Sequence, residues 1–296
     1  MTRIFFIVGP TATGKSELAA DIAQRLGAEI VSADAFQIYR GLDVLTAKPD
    51  QATLAKAPHH LIGTVPISEE MNAEKYRAMA GEIIARGKPV IVVGGTGLYV
   101  KALTHGLATL PGANSKLREK LERTTSDELF RSLRALDPDG AEKIDRQNRR
   151  RLVRAVEVCL LTGKPFSSQR IEWNQSPPEN GILLTRERIE LYARINQRVE
   201  EMFAAGVVEE VRGAKNLGPT AEKTLGLREI RALLAGEISQ AECISKIQQL
   251  TRRYAKRQLT WFQRQTNFAP LNLSAHRPAE AVELISQSAS RVLARG

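Results

Sequence analysis

The sequence predicts an α/β fold, in which a parallel sheet carries crossover helices and is interrupted by a helical insertion. Three observations predict it. Short β-rich runs alternate with helical stretches near the start of the chain, which argues for parallel strands joined by helices. The strand signal then vanishes from about Pro111 to Pro178, which places a helical insertion at roughly 112–180. Finally, the first strand leads into Gly9-Pro10-Thr11-Ala12-Thr13-Gly14-Lys15-Ser16, which fits G-x-x-x-x-G-K-[ST] in full and opens a helix. That loop makes the expected core a P-loop NTPase-like parallel sheet.

Taken in order, Ile4-Phe5-Phe6-Ile7-Val8 is a continuous apolar run closed by a glycine, as a strand covered on both faces should be. A helix follows through about Leu26, with Leu18, Ala19, Ala20, Ile22 and Ala23 on its apolar side. Glu29-Ile30-Val31-Ser32 is a second strand, and Pro89-Val90-Ile91-Val92-Val93 a third, closed by Gly94-Gly95. From about Pro111 the apolar residues recur at helical spacing: Leu117, Leu121, Leu129 and Leu133, then Leu152, Val153, Val156 and Leu160. Gly163-Lys164-Pro165 ends that pattern. The polar run Asn174-Gln175-Ser176-Pro177-Pro178-Glu179-Asn180-Gly181 reads as a linker, and Ile182-Leu183-Leu184 as a strand returning to the sheet. Helices are expected over 189–211, 225–234 and 238–262. The expected domains are 1–111 with 181–296 as the core, and 112–180 as the insertion.

The chain has 296 residues, of which 43 are Lys or Arg and 33 Asp or Glu, for a formal net charge of +10. At 43% hydrophobic and 26% charged residues it has the composition of a globular protein, not a disordered one. No apolar run approaches the ~20 residues of a membrane span. Two cysteines, Cys159 and Cys243, make neither a disulfide framework nor a four-ligand zinc site. With no signal-peptide pattern at the start, a cytoplasmic protein is expected.

The excess charge is concentrated. Arg146, Arg149, Arg150, Arg151 and Arg154 form one acid-free window, and Arg252, Arg253, Lys256, Arg257 and Arg264 another; outside the two the charges balance. Two basic stripes on a neutral body suit a polyanionic partner. They also suit two solvated helix faces. The second stripe carries Tyr254, Trp261 and Phe262, rings able to pack internally or to stack on bases.

Three segments bear chemistry. In the phosphate loop, glycines let backbone N–H groups turn toward phosphate oxygens, and the helix N-terminus adds positive potential. Lys15 supplies a point charge and the Ser16 hydroxyl is placed to ligate Mg²⁺. Asp34 follows the second strand, so it falls on the sheet edge that carries the loop. A carboxylate there can act as a general base or hold Mg²⁺ through water, or merely cap a turn. Gln37, close by, has an amide able to hydrogen-bond a base edge. Gly94-Gly95-Thr96-Gly97-Leu98-Tyr99 reaches the same edge, where Thr96 is able to donate to an oxygen of a ligand. His59 and His60, in a loop beside Pro58, read as structural residues.

Six ordered motifs together resemble the bacterial-type tRNA dimethylallyltransferases (tRNA isopentenyltransferases). They are the phosphate loop; Ser32-Ala33-Asp34 with Gln37-Ile38-Tyr39-Arg40-Gly41 and Thr46-Ala47-Lys48-Pro49; Pro58-His59-His60-Leu61; Gly94 to Tyr99; Arg151-Leu152-Val153-Arg154-Ala155-Val156-Glu157-Val158 with Thr162-Gly163-Lys164-Pro165; and Thr251 to Trp261. The resemblance covers residues 3 to about 273. It implies transfer of a dimethylallyl group from its diphosphate to the exocyclic amine of adenine at position 37 of tRNA. It further implies that residues 9–16 hold the diphosphate with Mg²⁺, Arg198 adds charge to it, and Asp34 is the base. Thr96 would hold the reacting end of the donor. Contacts to the anticodon stem-loop would come from Asp34, Ala35, Phe36, Gln37, Thr96, Arg118, Arg150, Arg151, Leu152, Val153 and Arg154. The protein would act as a monomer, away from membranes. Leu45, Gly63 and Asn148 depart from the residues usual in the family, as does Lys223-Thr224-Leu225-Gly226-Leu227.

Other readings of the same loop are an ATP-dependent kinase of small molecules, an isopentenyltransferase acting on free adenine nucleotides, and a nucleic-acid-binding NTPase-like module. No arginine pair in the sequence clearly serves a γ-phosphate, a mononucleotide needs fewer charges than two stripes supply, and a binding module leaves Asp34 and Thr96 without a task.

Overall fold

The computed structural model describes residues 4–107, 110–169 and 178–294. The chain forms two compact units, Met1–His105 with Ser176–Gly296, and Gly106–Gln175. Asn174 to Pro177 of the expected linker lie outside the described residues.

The first unit is built on one six-stranded sheet. Its strands are β1 (Ile4–Val8), β2 (Glu29–Ser32), β3 (His59–His60), β4 (Val90–Gly94), β5 (Gly181–Thr185) and β6 (Ala269–Asn272), in the order β3-β2-β4-β1-β5-β6. Every pairing is parallel. Ile4 to Val8 run in register beside Val90 to Gly94, which brings the carboxyl ends of β1 and β4 level. Among the described residues, the helices of this unit are α1 (Lys15–Leu26), α2 (Gln51–Leu54), α3 (Ala73–Ile84), α4 (Gly97–Thr104), then, after the second unit's four, α9 (Arg188–Ala204), α10 (Val207–Gly213), α11 (Leu227–Leu234), α12 (Gln240–Gln265) and α13 (Pro278–Leu293).

Alternate residues of β1 serve opposite faces of the sheet, as a strand requires. Phe6 and Val8 join Tyr76, Tyr99 and Phe262 on one side, while Phe5 and Ile7 join Ile22, Leu184 and Ile285 on the other. Both faces are therefore dry, which explains why the strands read as unbroken apolar runs.

Three readings of the sequence are corrected here. His59-His60 is not loop but a parallel edge strand beside β2. His59 Nδ1 lies 2.7 Å from the Ala57 carbonyl, and His60 Nε2 lies 2.8 Å from Glu29 Oε2. The helix expected over 189–211 is two helices, because the chain turns at Gly206, whose φ of 87° is left-handed. The strand β6, with Pro270 inside it, carries no alternation that would mark it, and sits at an edge where a missing N–H is tolerated.

The second unit contains α5 (Ser115–Arg123), α6 (Ser126–Leu136), α7 (Pro138–Lys143) and α8 (Arg149–Thr162). Thr125 and Glu128 form a capping box at the start of α6, and Asn148 caps α8 by accepting from the Arg151 N–H. Leu121, Leu129, Leu133, Leu152, Val153 and Val156 make its core. Among the described residues no helix is long and apolar enough to cross a membrane.

Candidate active site

The site lies at the carboxyl ends of β1, β2 and β4. The loop after β1 ends at Gly14, whose φ of 90° makes a left-handed turn into α1 at little cost for a residue without Cβ. β4 ends at Gly94, where a Cβ would sit 2.3 Å from the Ala33 carbonyl oxygen, so only glycine lets this strand close against the segment that carries Asp34. The Thr96 N–H then donates to that same oxygen at 3.0 Å.

A cavity of about 960 Å³ opens between these loops and α9, and Lys15, Ser16, Asp34, Gln37, Arg194 and Arg198 line it. Of the residues expected to act on the donor, Thr11, Ala12, Gly14, Lys15, Ser16 and Arg198 face this cavity. Pro10 and Thr13 sit behind it, with the Thr13 hydroxyl and Lys15 Nζ both donating to the Pro10 carbonyl at 2.9 Å. Burial in the loop lowers the Lys15 pKa to about 8; Arg198 adds to the fall, and Asp34 opposes it. Arg198 donates to the Thr11 hydroxyl at 3.2 Å, and burial followed by repulsion from Arg194 lowers its own pKa.

Asp34 accepts the Phe36 and Gln37 N–H groups at 2.9 and 3.2 Å, both on Oδ1. Among the described residues no donor holds Oδ2, so this oxygen is open to a proton. Thr96 Oγ1 accepts the Ala35 N–H at 3.0 Å and also makes a side-chain hydrogen bond with the Tyr254 phenol. Gln37, expected to meet a base edge, has its amide nitrogen on the Thr46 and Ala47 carbonyls at 3.1 and 2.9 Å, so only its oxygen is unengaged among the described residues.

Three site residues escaped the sequence reading. Arg186 and Arg194 donate through Nε to the outward-facing carbonyls of Thr13 and Ala12, each at 2.9 Å. They brace the loop through these carbonyls and add charge around it. For Arg194 the signal is its i, i+4 spacing from Arg198, which puts both on one face of α9, while Arg186 precedes that helix and carries none. Gln258, on α12, accepts the Thr11 N–H and donates to the Gly95 carbonyl, both at 2.9 Å, tying the phosphate loop to the second glycine turn. The aromatic residues of the second basic stripe pack inward instead of lying open. Phe262 is fully buried, Trp261 covers Gly97, and the Tyr254 phenol lies against Thr96 and Gln258. Burial, reinforced by Asp34, holds that phenol well above its ordinary pKa.

The arginines of the second unit divide into two sets. Arg118 and Arg154 each reach Oε2 of the buried Glu157 at 2.7 Å, Arg149 caps the end of α5 through the Glu122 and Thr124 carbonyls, and Arg146 stacks on Phe130. Arg150 and Arg151 are exposed. Leu152 and Val153, expected to touch tRNA, have side chains in this unit's core and are corrected to structural residues.

These features agree with the comparisons. A family profile described as IPP transferase matches residues 37–265. A tRNA dimethylallyltransferase of Akkermansia muciniphila is 43% identical over 88% of this chain and 90% of its own length, and one of Geobacter metallireducens is 46% identical over 89% and 90%. The crystal structure of a tRNA isopentenylpyrophosphate transferase from Bacillus halodurans superposes with a TM-score of 0.72 at 33% identity, covering 100% of this chain and 98% of that one. The fold and its cavity thus define a P-loop-type transferase. The chain belongs to the IPP transferase family.

Proposed function

We propose that the protein transfers a dimethylallyl group from dimethylallyl diphosphate to the exocyclic amine of adenine at position 37 of tRNA, releasing diphosphate. One observation carries this reading: Lys15 and Arg198 share a cavity wall with Asp34. Cations for a departing diphosphate therefore stand beside a carboxylate for an incoming amine's proton. The reaction breaks the allylic carbon–oxygen bond as the adenine nitrogen bonds to the same carbon. Negative charge grows on the leaving diphosphate, so Lys15, Arg198 and the loop amides stabilise the transition state more than the ground state. The amine's lone pair is shared with its ring, so it becomes nucleophilic only as its proton leaves, and Asp34 takes that proton. Thr96 lines neither cavity, and its assignment to the reacting end of the donor rests on the family resemblance. The base must leave its stack to reach Asp34, and water must be kept away from the cation-like carbon.

The donor set also suits Mg²⁺. Among the described residues no three His, Cys, Asp or Glu cluster as an all-protein metal site. Ser16 on the cavity wall, together with diphosphate oxygens, fits an ion that prefers substrate phosphates and few protein ligands. When bound, Mg²⁺ would neutralise charge on the diphosphate. The protein would act as a monomer, and tRNA as substrate is in keeping with the cytoplasm.

The test is nucleoside analysis of tRNA incubated with the protein and dimethylallyl diphosphate, beside a parallel incubation with γ-labelled ATP. Prenylated adenosine is expected only with tRNA and the prenyl donor. Label moving from ATP to any acceptor would establish the kinase instead, and prenylation of free AMP in preference to tRNA would establish the nucleotide-directed reading.

On the tRNA side, Arg150 and Arg151 are the phosphate-binding residues we assign, with the part-exposed Arg118 and Arg154 secondary. Changing Arg150 and Arg151 to glutamine is expected to weaken tRNA binding. It should also flatten the slope of log Kd against log salt by about one for each phosphate no longer neutralised. An unchanged slope would remove both from the interface. Arg154→Ala acts differently, because it withdraws one of two cations from buried Glu157. It should destabilise the protein by about 1–3 kcal/mol in denaturant titration, the usual size for removing a hydrogen bond to a charged group.

A further inference from the structure

A second cavity of about 80 Å³, an annex, adjoins the first. It shares Thr11, Asp34, Thr46, Ala47, Arg198 and Met202 with the larger cavity, so these residues form its mouth. Phe36, Leu45, Val199, Leu225 and Ile247 line only the annex and form its walls and floor. Two threonines there are not polar where it matters. The Thr224 and Thr251 hydroxyls donate to the Ala221 and Ile247 carbonyls at 2.7 Å, within their own local turns. Tyr254 also lines the annex, with its phenol hydrogen-bonded to Thr96 and Gln258.

The floor is stiff. Leu45, Val199 and Ile247 are buried in a single core cluster, and a Cβ on Gly226 would lie only 3.2 Å from Leu45 Cδ1. Leu45 therefore has the chain packed behind it and cannot withdraw without repacking, since interiors have few voids to absorb the shift.

We infer that Leu45 and Leu225 set the length of the prenyl group the protein transfers, admitting a branched five-carbon chain and excluding a ten-carbon one. This rests on the prenyl-transfer reading above. A dry cavity of ~150 Å³ holds benzene, about 25 Å³ per carbon. By that scale the annex takes about three carbons, the branched end of a dimethylallyl group. The first two carbons remain at the mouth beside Asp34 and Arg198, where bond cleavage needs them. A geranyl group would bring five more carbons against the packed floor.

The experiment measures kcat/KM with dimethylallyl and geranyl diphosphates, tRNA saturating, in the wild type, Leu45→Ala and Leu225→Phe. The wild type should prefer the five-carbon donor at least 100-fold. Leu45→Ala should narrow that preference at least tenfold by lengthening the annex. Leu225→Phe should lower kcat/KM for the five-carbon donor at least tenfold, while inhibition by inorganic diphosphate stays within twofold, which a merely misfolded variant would not do. The inference is overturned if the wild type uses both donors alike, or if Leu45→Ala melts like the wild type and keeps its preference. It is also overturned if Leu225→Phe leaves five-carbon transfer intact. Should Leu45→Ala fail to fold, the Leu225→Phe result decides. A wild type that prenylates no tRNA with either donor refutes the underlying reaction, and so is told apart from a failure of the gauge alone.

Discussion

Asp34→Asn should lower kcat by about 10²–10⁴-fold at saturating donor and tRNA, the range of a general base. The substitution is well matched to the question. The Phe36 and Gln37 N–H groups donate to Oδ1, and an asparagine oxygen accepts them equally, so the turn after β2 survives. What disappears is the oxygen that takes the proton from adenine. The donor KM should stay within a few-fold, because the diphosphate is held by Lys15, Arg198 and the loop amides. Loss of attraction between Asp34 and those cations should, if anything, tighten the grip on the anion. A kcat loss smaller than about threefold would take Asp34 out of the mechanism.

Lys15→Met is expected to cost about 10²–10³-fold in kcat, the scale of removing one donor aimed at developing charge. A pH profile then separates charge from shape. With its pKa lowered to about 8, the Lys15 ammonium is intact at neutral pH and lost as pH rises through 8. The charged form is the one that attracts diphosphate, so wild-type kcat/KM for the donor should fall above pH 8, since this parameter reports the free enzyme. Lys15→Arg keeps its charge and should abolish that alkaline limb, whatever its absolute rate. A profile for the wild type that stays level from pH 7 to 9.5 would contradict the assignment.

Much of this site is legible in the sequence. The eight residues from Gly9 to Ser16 carry their purpose in their spacing, because a tight turn, inward N–H groups and a helix start are local requirements. Asp34 and Thr96 are legible through the parallel-sheet rule, which places residues following β2 and β4 on the edge that holds the phosphate loop. Gln258 is not. It lies 247 residues from Thr11 along the chain, and no local rule connects a helix glutamine with a loop N–H so distant. Arg186 and Arg194 escape for a similar reason: their targets are carbonyls turned outward by the loop's own conformation.

The charge stripes show the opposite error. Composition counts Arg146, Arg149 and Arg154 as free for a partner, whereas Phe130, backbone carbonyls and Glu157 engage them; Arg118, expected from the resemblance, is likewise paired with Glu157. Leu152 and Val153 share a motif with exposed arginines yet point into the core, since successive helix residues are about 100° apart.

What the sequence alone determined is therefore the class of sheet, the phosphate loop and the order of the chemical groups along the chain. All three follow from short-range periodicity and turn chemistry. The tertiary structure alone decided which cations remain available, which side chains brace the loop, and where the apolar annex ends. Each depends on packing between segments remote in the chain, and such packing is set by the whole fold rather than by any stretch of it.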